Sequence, residues 1–226
     1  MHTALDLELD KTSALDLPVF LDTEKDYWLN SAIKKFVKTR YSGLNLKKES
    51  FEETQKRTDD LRTLLRHADL TLTAVGANYP NGYVGDMTSA VTPDLSDYWI
   101  TIAEEASITV TESSVTSRVG ITQCSQDSYR QHIDDPFSEH ILHYKTAKPL
   151  RLFYNNSVEL ISDGNYSIGT YYLTYIKEPN EVSSTIDCDL PEHTHDEIIK
   201  IATNMLLENI ESPRMQTQAI EVATME

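Results

Sequence analysis

Residues 189–213 constrain this chain more than any other stretch, because they read as one amphipathic helix with both ends marked. Thr194 followed by Glu197 is a capping box: the hydroxyl satisfies the N3 amide and the carboxylate reaches back to the cap amide. Asp196 and Glu197 place negative charge at the positive end of the helix dipole. Ile198, Ile201, Ala202 and Met205 recur at helical spacing, and Ile199, Leu206 and Ile210 widen the stripe. Pro213 lacks an amide hydrogen and disfavours helix at the residue before it, so the spacing predicts a helix over residues 194–211. A stripe of about five turns has to be covered by other apolar surface, so this segment seals a core and carries no chemistry of its own.

The remainder supplies the other side of that core. Residues 1–20 are acidic and leucine-spaced and read as an arm or edge segment whose structure depends on a partner. Asp22 or Thr23 caps a second helix, in which Leu29, Ala32, Ile33, Phe36 and Val37 form a regular apolar stripe and which Gly43 terminates. Ser50 and Glu53 form another capping box, opening a mostly polar helix to about Arg66. Beyond Ala68 the period changes to two. Leu70, Leu72 and Ala74 mark a strand, residues 78–86 a loop or hairpin turn, and residues 95–102 a short helix or strand. Residues 107–119 read as one long strand or a hairpin, and residues 150–154 as another strand. Residues 158–161 and 168–176 flank Asp163-Gly164, a strong hairpin signal. Residues 168–176 carry large groups on both faces, as a central strand does. The fold class is therefore α+β. A small bundle of two N-terminal helices plus the C-terminal helix accompanies a mainly antiparallel β region of five to seven strands. The expected organisation is a single domain over residues 1–226, with an N-terminal arm (1–20) and a C-terminal tail (214–226).

Charge narrows the function. The net charge of −16 argues against a general nucleic-acid binder, which needs clustered Lys and Arg. The imbalance is uneven: residues 34–66 hold ten Lys or Arg against five acids, which makes that segment +5 and the rest of the chain −21. It reads either as ordinary solvated helix faces or as a basic surface for an acidic neighbour, such as another copy of the chain. Two cysteines, Cys124 and Cys188, provide neither a disulfide framework nor a four-cysteine zinc site. The first residues show no signal-peptide pattern and no apolar run is long enough to span a membrane, so a soluble protein made in a reducing cytoplasm is expected.

The candidate chemical groups each have a simpler structural reading. His193 and His195 beside Asp196 suggest a metal, but a capped helix start accounts for the same residues. His140, His143 and Glu139 have no second half at ligand spacing. The Gly82…Gly85 pair lacks the Lys-Ser/Thr ending of a phosphate loop. Ser113, Ser114 and Ser117 have no nucleophile-elbow glycines around them. Cys124 and His132 fit a packed thiol better than a nucleophile pair, and Asp134-Asp135 before Pro136 fits a turn. No catalytic residue, metal or cofactor is expected.

Several segments nonetheless carry a resemblance. Tyr27-Trp28-Leu29-Asn30, residues 36–41 (Phe-Val-Lys-Thr-Arg-Tyr) and Phe51-Glu52…Gln55-Lys56-Arg57…Asp59-Asp60-Leu61-Arg62 are similar to the opening of neck-ring (adaptor) proteins of crAss-like tailed bacteriophages. Asp135-Pro136-Phe137, residues 175–179, Leu190-Pro191-Glu192-His193 and residues 208–213 continue the resemblance in the same order. It implies a head-to-tail connector: a virion protein at the phage neck, in a dodecameric ring with copies of itself. The portal and adjacent neck or tail rings are then its partners, and DNA passes through without specific binding. The resemblance brings no active-site residues. Two other readings stay open on the residues alone: a monomeric small-molecule or carbohydrate-binding module, suggested by twelve tyrosines and two tryptophans, and a hydrolase.

Overall fold

A computed structural model describes residues 1–12, 20–42, 51–88, 95–183 and 185–209. Its elements in chain order are α1 (His2–Thr12), α2 (Asp22–Tyr41), α3 (Gln55–Leu61), β1 (Leu65–Thr71), β2 (Gly82–Asp86), β3 (Tyr98–Val110), β4 (Thr116–Gly120), β5 (Thr122–Gln123), α4 (Tyr129–Asp134), β6 (Leu150–Tyr154), β7 (Ser157–Ile161), β8 (Tyr166–Lys177) and α5 (His195–Asn209). The class is α+β, as the sequence indicates. The chain divides into two compact units, one of Met1–Leu64 with Glu178–Glu226 and one of Leu65–Lys177.

In the helical unit α5 packs on α1 and α2, and α3 packs on α2. All five residues of the α2 stripe are buried. Withdrawing Leu29, Ile33, Phe36 and Val37 from water stabilises the unit by about 1.5–3 kcal/mol each, before conformational entropy is set against it. Ahead of α2, Glu24 accepts the Leu21 amide (2.9 Å), so Leu21 rather than Asp22 or Thr23 is the cap position. Asn30 grips the returning chain at Val182, donating to its carbonyl (3.0 Å) and accepting its amide (2.8 Å). Within the expected N-terminal arm, residues 2–12 form a helix. Leu5 and Leu9, one turn apart, are fully buried and nearly so, and the leucine spacing is that of a helix face. Gly43, Ser50 and the tail at 214–226 lie outside the described residues.

Two expectations for helices are corrected. The third helix is short: after Leu61 the chain tightens into a 3-10 turn (Arg62–Leu64), and Leu65 already pairs with Ile176 in a sheet. The C-terminal helix starts after a 3-10 turn (Glu192–Thr194), where the Thr194 hydroxyl donates to the Pro191 carbonyl (2.7 Å), so the capping box does not form. The buried face of α5 comprises Ile198, Ile199, Ala202, Thr203, Leu206 and Leu207, while Ile201 and Met205 are half-buried. Thr203 tolerates burial because its hydroxyl donates to the Ile199 carbonyl one turn back (2.9 Å).

The second unit holds two four-stranded sheets, ordered β1-β8-β3-β4 and β2-β7-β6-β5. Every strand pair is antiparallel except β5 with β6. The sheets share one core, to which β1 contributes Leu70, β3 Ile108, β7 Leu160 and β8 Tyr171 and Leu173. β8 is central, as its composition suggests, but Ser167 and Gly169 on its other face are exposed. Asp163-Gly164 does turn the chain, with Asp163 accepting the Asn165 amide (2.8 Å), yet it closes no hairpin, because β7 and β8 belong to different sheets. The hairpin on β7 is with β6, across Asn155 (φ 50°) and Asn156. Residues 107–119 resolve into the end of β3, a turn and β4, and the described residues form eight strands where five to seven were expected.

Candidate functional site

Each unit is organised around buried charge. In the helical unit Arg40 and Asp60 are 3% and 1% exposed. Arg40 Nε lies 3.0 Å from the Asp60 carboxylate, and Arg40 Nη2 donates to Glu197. Lys56 Nζ reaches the other Glu197 oxygen (3.0 Å), and His193 Nε2 the other Asp60 oxygen (3.0 Å). The Arg40 guanidinium also sits over the Phe36 ring, 4.9 Å from its centre. Buried Arg57 points at the carbonyls of Thr39 and Arg40 (3.4 Å each), which terminate α2. This network ties α2, α3 and α5 together and explains why Glu197 does not cap its own helix.

It also revises the basic segment at 34–66. Arg40, Lys56, Arg57 and Arg62 pair with groups of their own unit, and Lys34 pairs with Glu178 (2.7 Å). Lys47 and Lys48 lie outside the described residues. Five of the ten cations in the segment thus bind groups of the subunit itself.

In the sheet unit Arg151 on β6 pairs with Glu104 on β3 (2.6 Å), which also accepts the Tyr171 hydroxyl (2.7 Å), so the pair bridges the two sheets. Burial, followed by the nearby Glu104 charge, pushes the Tyr171 phenol far above its usual range; burial does the same to Tyr166, which donates to the His140 carbonyl (2.9 Å). The unfolded chain ionises both phenols above about pH 10 and the folded chain does not. Their contribution is therefore complete below that pH and is lost as pH rises through the alkaline range. An ultraviolet titration should show these two phenols ionising only as the near-ultraviolet dichroism of the fold is lost.

Fully buried Glu159 on β7 accepts the amides of Asn78 (3.3 Å) and Tyr79 (3.0 Å). Gly82 is required beside it: a Cβ there would lie 2.1 Å from Glu159 Oε1 and 2.9 Å from the Tyr79 carbonyl. Gly82→Ala is expected to destabilise the protein by about 1–3 kcal/mol, because the backbone has to shift. Gly120→Ala, with nothing within 4 Å of its added methyl, is the matched control; equal melting temperatures for the two variants would contradict this packing.

The candidates from sequence fall into separate structural roles. His193 is held by Asp60, whereas His195 Nε2 donates to the Leu190 carbonyl (3.2 Å). His140 bonds Ser138 (2.8 Å), and burial lowers its pKa; Glu139 pairs with Lys148 (3.1 Å), and His143 closes a tight turn with Thr146. Gly82 and Gly85 lie on β2, not in a phosphate loop. Ser113 and Ser114 form the β3–β4 turn, with Ser117 on β4. The Cys124 thiol faces Ser125 and Ser128, and Asp135 accepts the Phe137 amide (2.9 Å) in a turn before which Asp134 pairs with Arg130 (2.9 Å). Among the described residues no three His, Cys, Asp or Glu side chains converge as a metal site requires, and no helix is long and apolar enough to cross a membrane.

Sequence reasoning missed the buried charges, although each had a signal. Glu159 stands between Val158 and Leu160, Arg151 between Leu150 and Leu152, and Arg40 continues the Leu29-Ile33-Phe36 face of α2.

Compared with known protein families, residues 3–217 match phage tail ring protein 3/4 of the crAss type, and the chain belongs to that family. No curated protein matches it. The tail ring assignment makes it a structural component of a virion.

Proposed function

We propose that the protein forms a closed ring of identical copies in the phage neck, between portal and tail, through which DNA passes without specific binding. The family match over residues 3–217 carries this reading. The net charge of −16 supports it, since a channel with an acidic lining repels the phosphate backbone and lets DNA slide. A closed ring uses heterologous contacts, in which one patch meets a different patch on the next copy. A dodecamer matches the symmetry the family resemblance implies, with the portal on one side and further neck or tail rings on the other.

Five of the twelve tyrosines that suggested a carbohydrate-binding module have structural places. Tyr166, Tyr171 and Tyr175 are in the core, and Tyr79 stacks against Tyr129 with ring centres 4.4 Å apart. Immunogold labelling of intact virions tests the position: label at the head–tail junction is expected, and label confined to the capsid or the distal tail would contradict it.

A further inference from the structure

The sheet unit presents an edge with room for another strand. β4 is the outermost strand of its sheet, and among the described residues no strand lies on its far side. The Val110 amide donates to the Val115 carbonyl (3.0 Å). By alternation along the ladder, Ser117 and Val119 turn their backbone groups toward β3, and Thr116, Arg118 and Gly120 turn theirs outward. Those three residues are exposed. Open edges are commonly blocked by a charged side chain. Here Arg118 is drawn along the sheet face, paired with Glu105 and stacked over the Tyr172 ring at 3.9 Å, so its charge does not guard the edge.

A groove of about 360 Å³ runs beside this edge, bounded by Val119 and Gly120 on one side and by Glu139, His143, Ala147 and Lys148 on the other. The outer wall belongs to a segment that also carries Phe137 and Tyr144, which are 86% and 95% exposed. An unpaired strand edge, an adjoining groove and exposed aromatics next to it in the chain are what β-strand addition requires.

We propose that in the ring this edge receives an extended segment from a second copy of the chain, namely the residues that follow α5. Seventeen residues come after Asn209, enough to reach on the order of 55 Å when extended. Beyond Pro213 they include no glycine or proline, and Thr217, Ile220, Val222 and Thr224 are β-branched, with Ile220 and Val222 alternating with Glu221 and Ala223. Each copy then gives one strand and accepts one, which is a heterologous contact of the kind that closes a ring. The proposal rests on the ring assembly argued above and names the contact that builds it.

Full-length protein with a photoreactive benzoylphenylalanine in place of Ile220, mixed from isotopically light and heavy copies, tests the contact. After irradiation, mass spectrometry should find cross-links from position 220 to residues 116–121 or 137–148 of a different copy. Gly120→Pro removes an outward amide where there is space. It is expected to lower the yield at least about tenfold while the circular dichroism stays unchanged. Cross-links within one copy, cross-links elsewhere, or none would each overturn the proposal. If the proline variant does not fold, the map on the unaltered edge decides alone. Light scattering on the same sample separates the two ideas: a multimer without these cross-links rejects the strand exchange only, and a monomer rejects the ring as well.

Discussion

Replacing Arg40 by leucine is expected to cost about 3–5 kcal/mol, because it takes the guanidinium from the buried Asp60 carboxylate, which keeps His193, and from Glu197, which keeps Lys56. Against a total stability of about 5–15 kcal/mol for an ordinary domain, such a loss brings the helical unit close to unfolding. Arg40→Lys keeps the charge but loses the planar fork that reaches two carboxylates at once, so an intermediate loss is expected. Lys34→Ala, which breaks the half-exposed pair with Glu178, should change stability by about 0–1 kcal/mol only. Denaturant titration followed by helical dichroism checks all three. Arg40→Leu and Lys34→Ala having the same midpoint would contradict the buried-network account.

The second large effect separates two isoleucines on α5. Ile198 is fully buried, so Ile198→Asp places an unpaired carboxylate in the core at a cost of several kcal/mol and should unfold the helical unit. Ile201 is half-buried, and Ile201→Asp leaves its carboxylate a route to water. It should lower the melting temperature while the unit stays folded at room temperature. Equal damage from both variants would mean that the helix presents the face centred on Ile201 after all.

These two variants also mark how far the sequence could be read. The α2 stripe was legible because its apolar residues occupy a single face, leaving no alternative rotation. On α5, apolar residues cover more than half the circumference, so periodicity identified the helix but not its angle. Leu207 was overlooked and Met205 over-weighted for that reason. The capping box failed for a nonlocal reason: Glu197 is claimed by Arg40, a residue 157 positions away, and no local motif registers such a competitor. Strand positions such as 150–154 were legible, but strand partners were not. Asp163-Gly164 specifies a turn, and whether a turn joins neighbours in one sheet or carries the chain into another depends on the whole core. The buried charges were visible as isolated ions inside apolar runs, while their partners, set by tertiary contact, were not. Function was legible only through the resemblance, which the family match over residues 3–217 supports.

The central proposal, that this chain is the subunit of a closed ring in the phage neck, is tested most directly by an averaged cryo-electron-microscopy reconstruction of the intact virion. The account predicts density for the helical unit and the two four-stranded sheets, repeated with cyclic symmetry around a channel wide enough for duplex DNA. It also predicts continuous density for a neighbouring copy along the outward edge of β4. A virion that lacks the protein, or carries it as isolated copies off the tail axis, would contradict the claim.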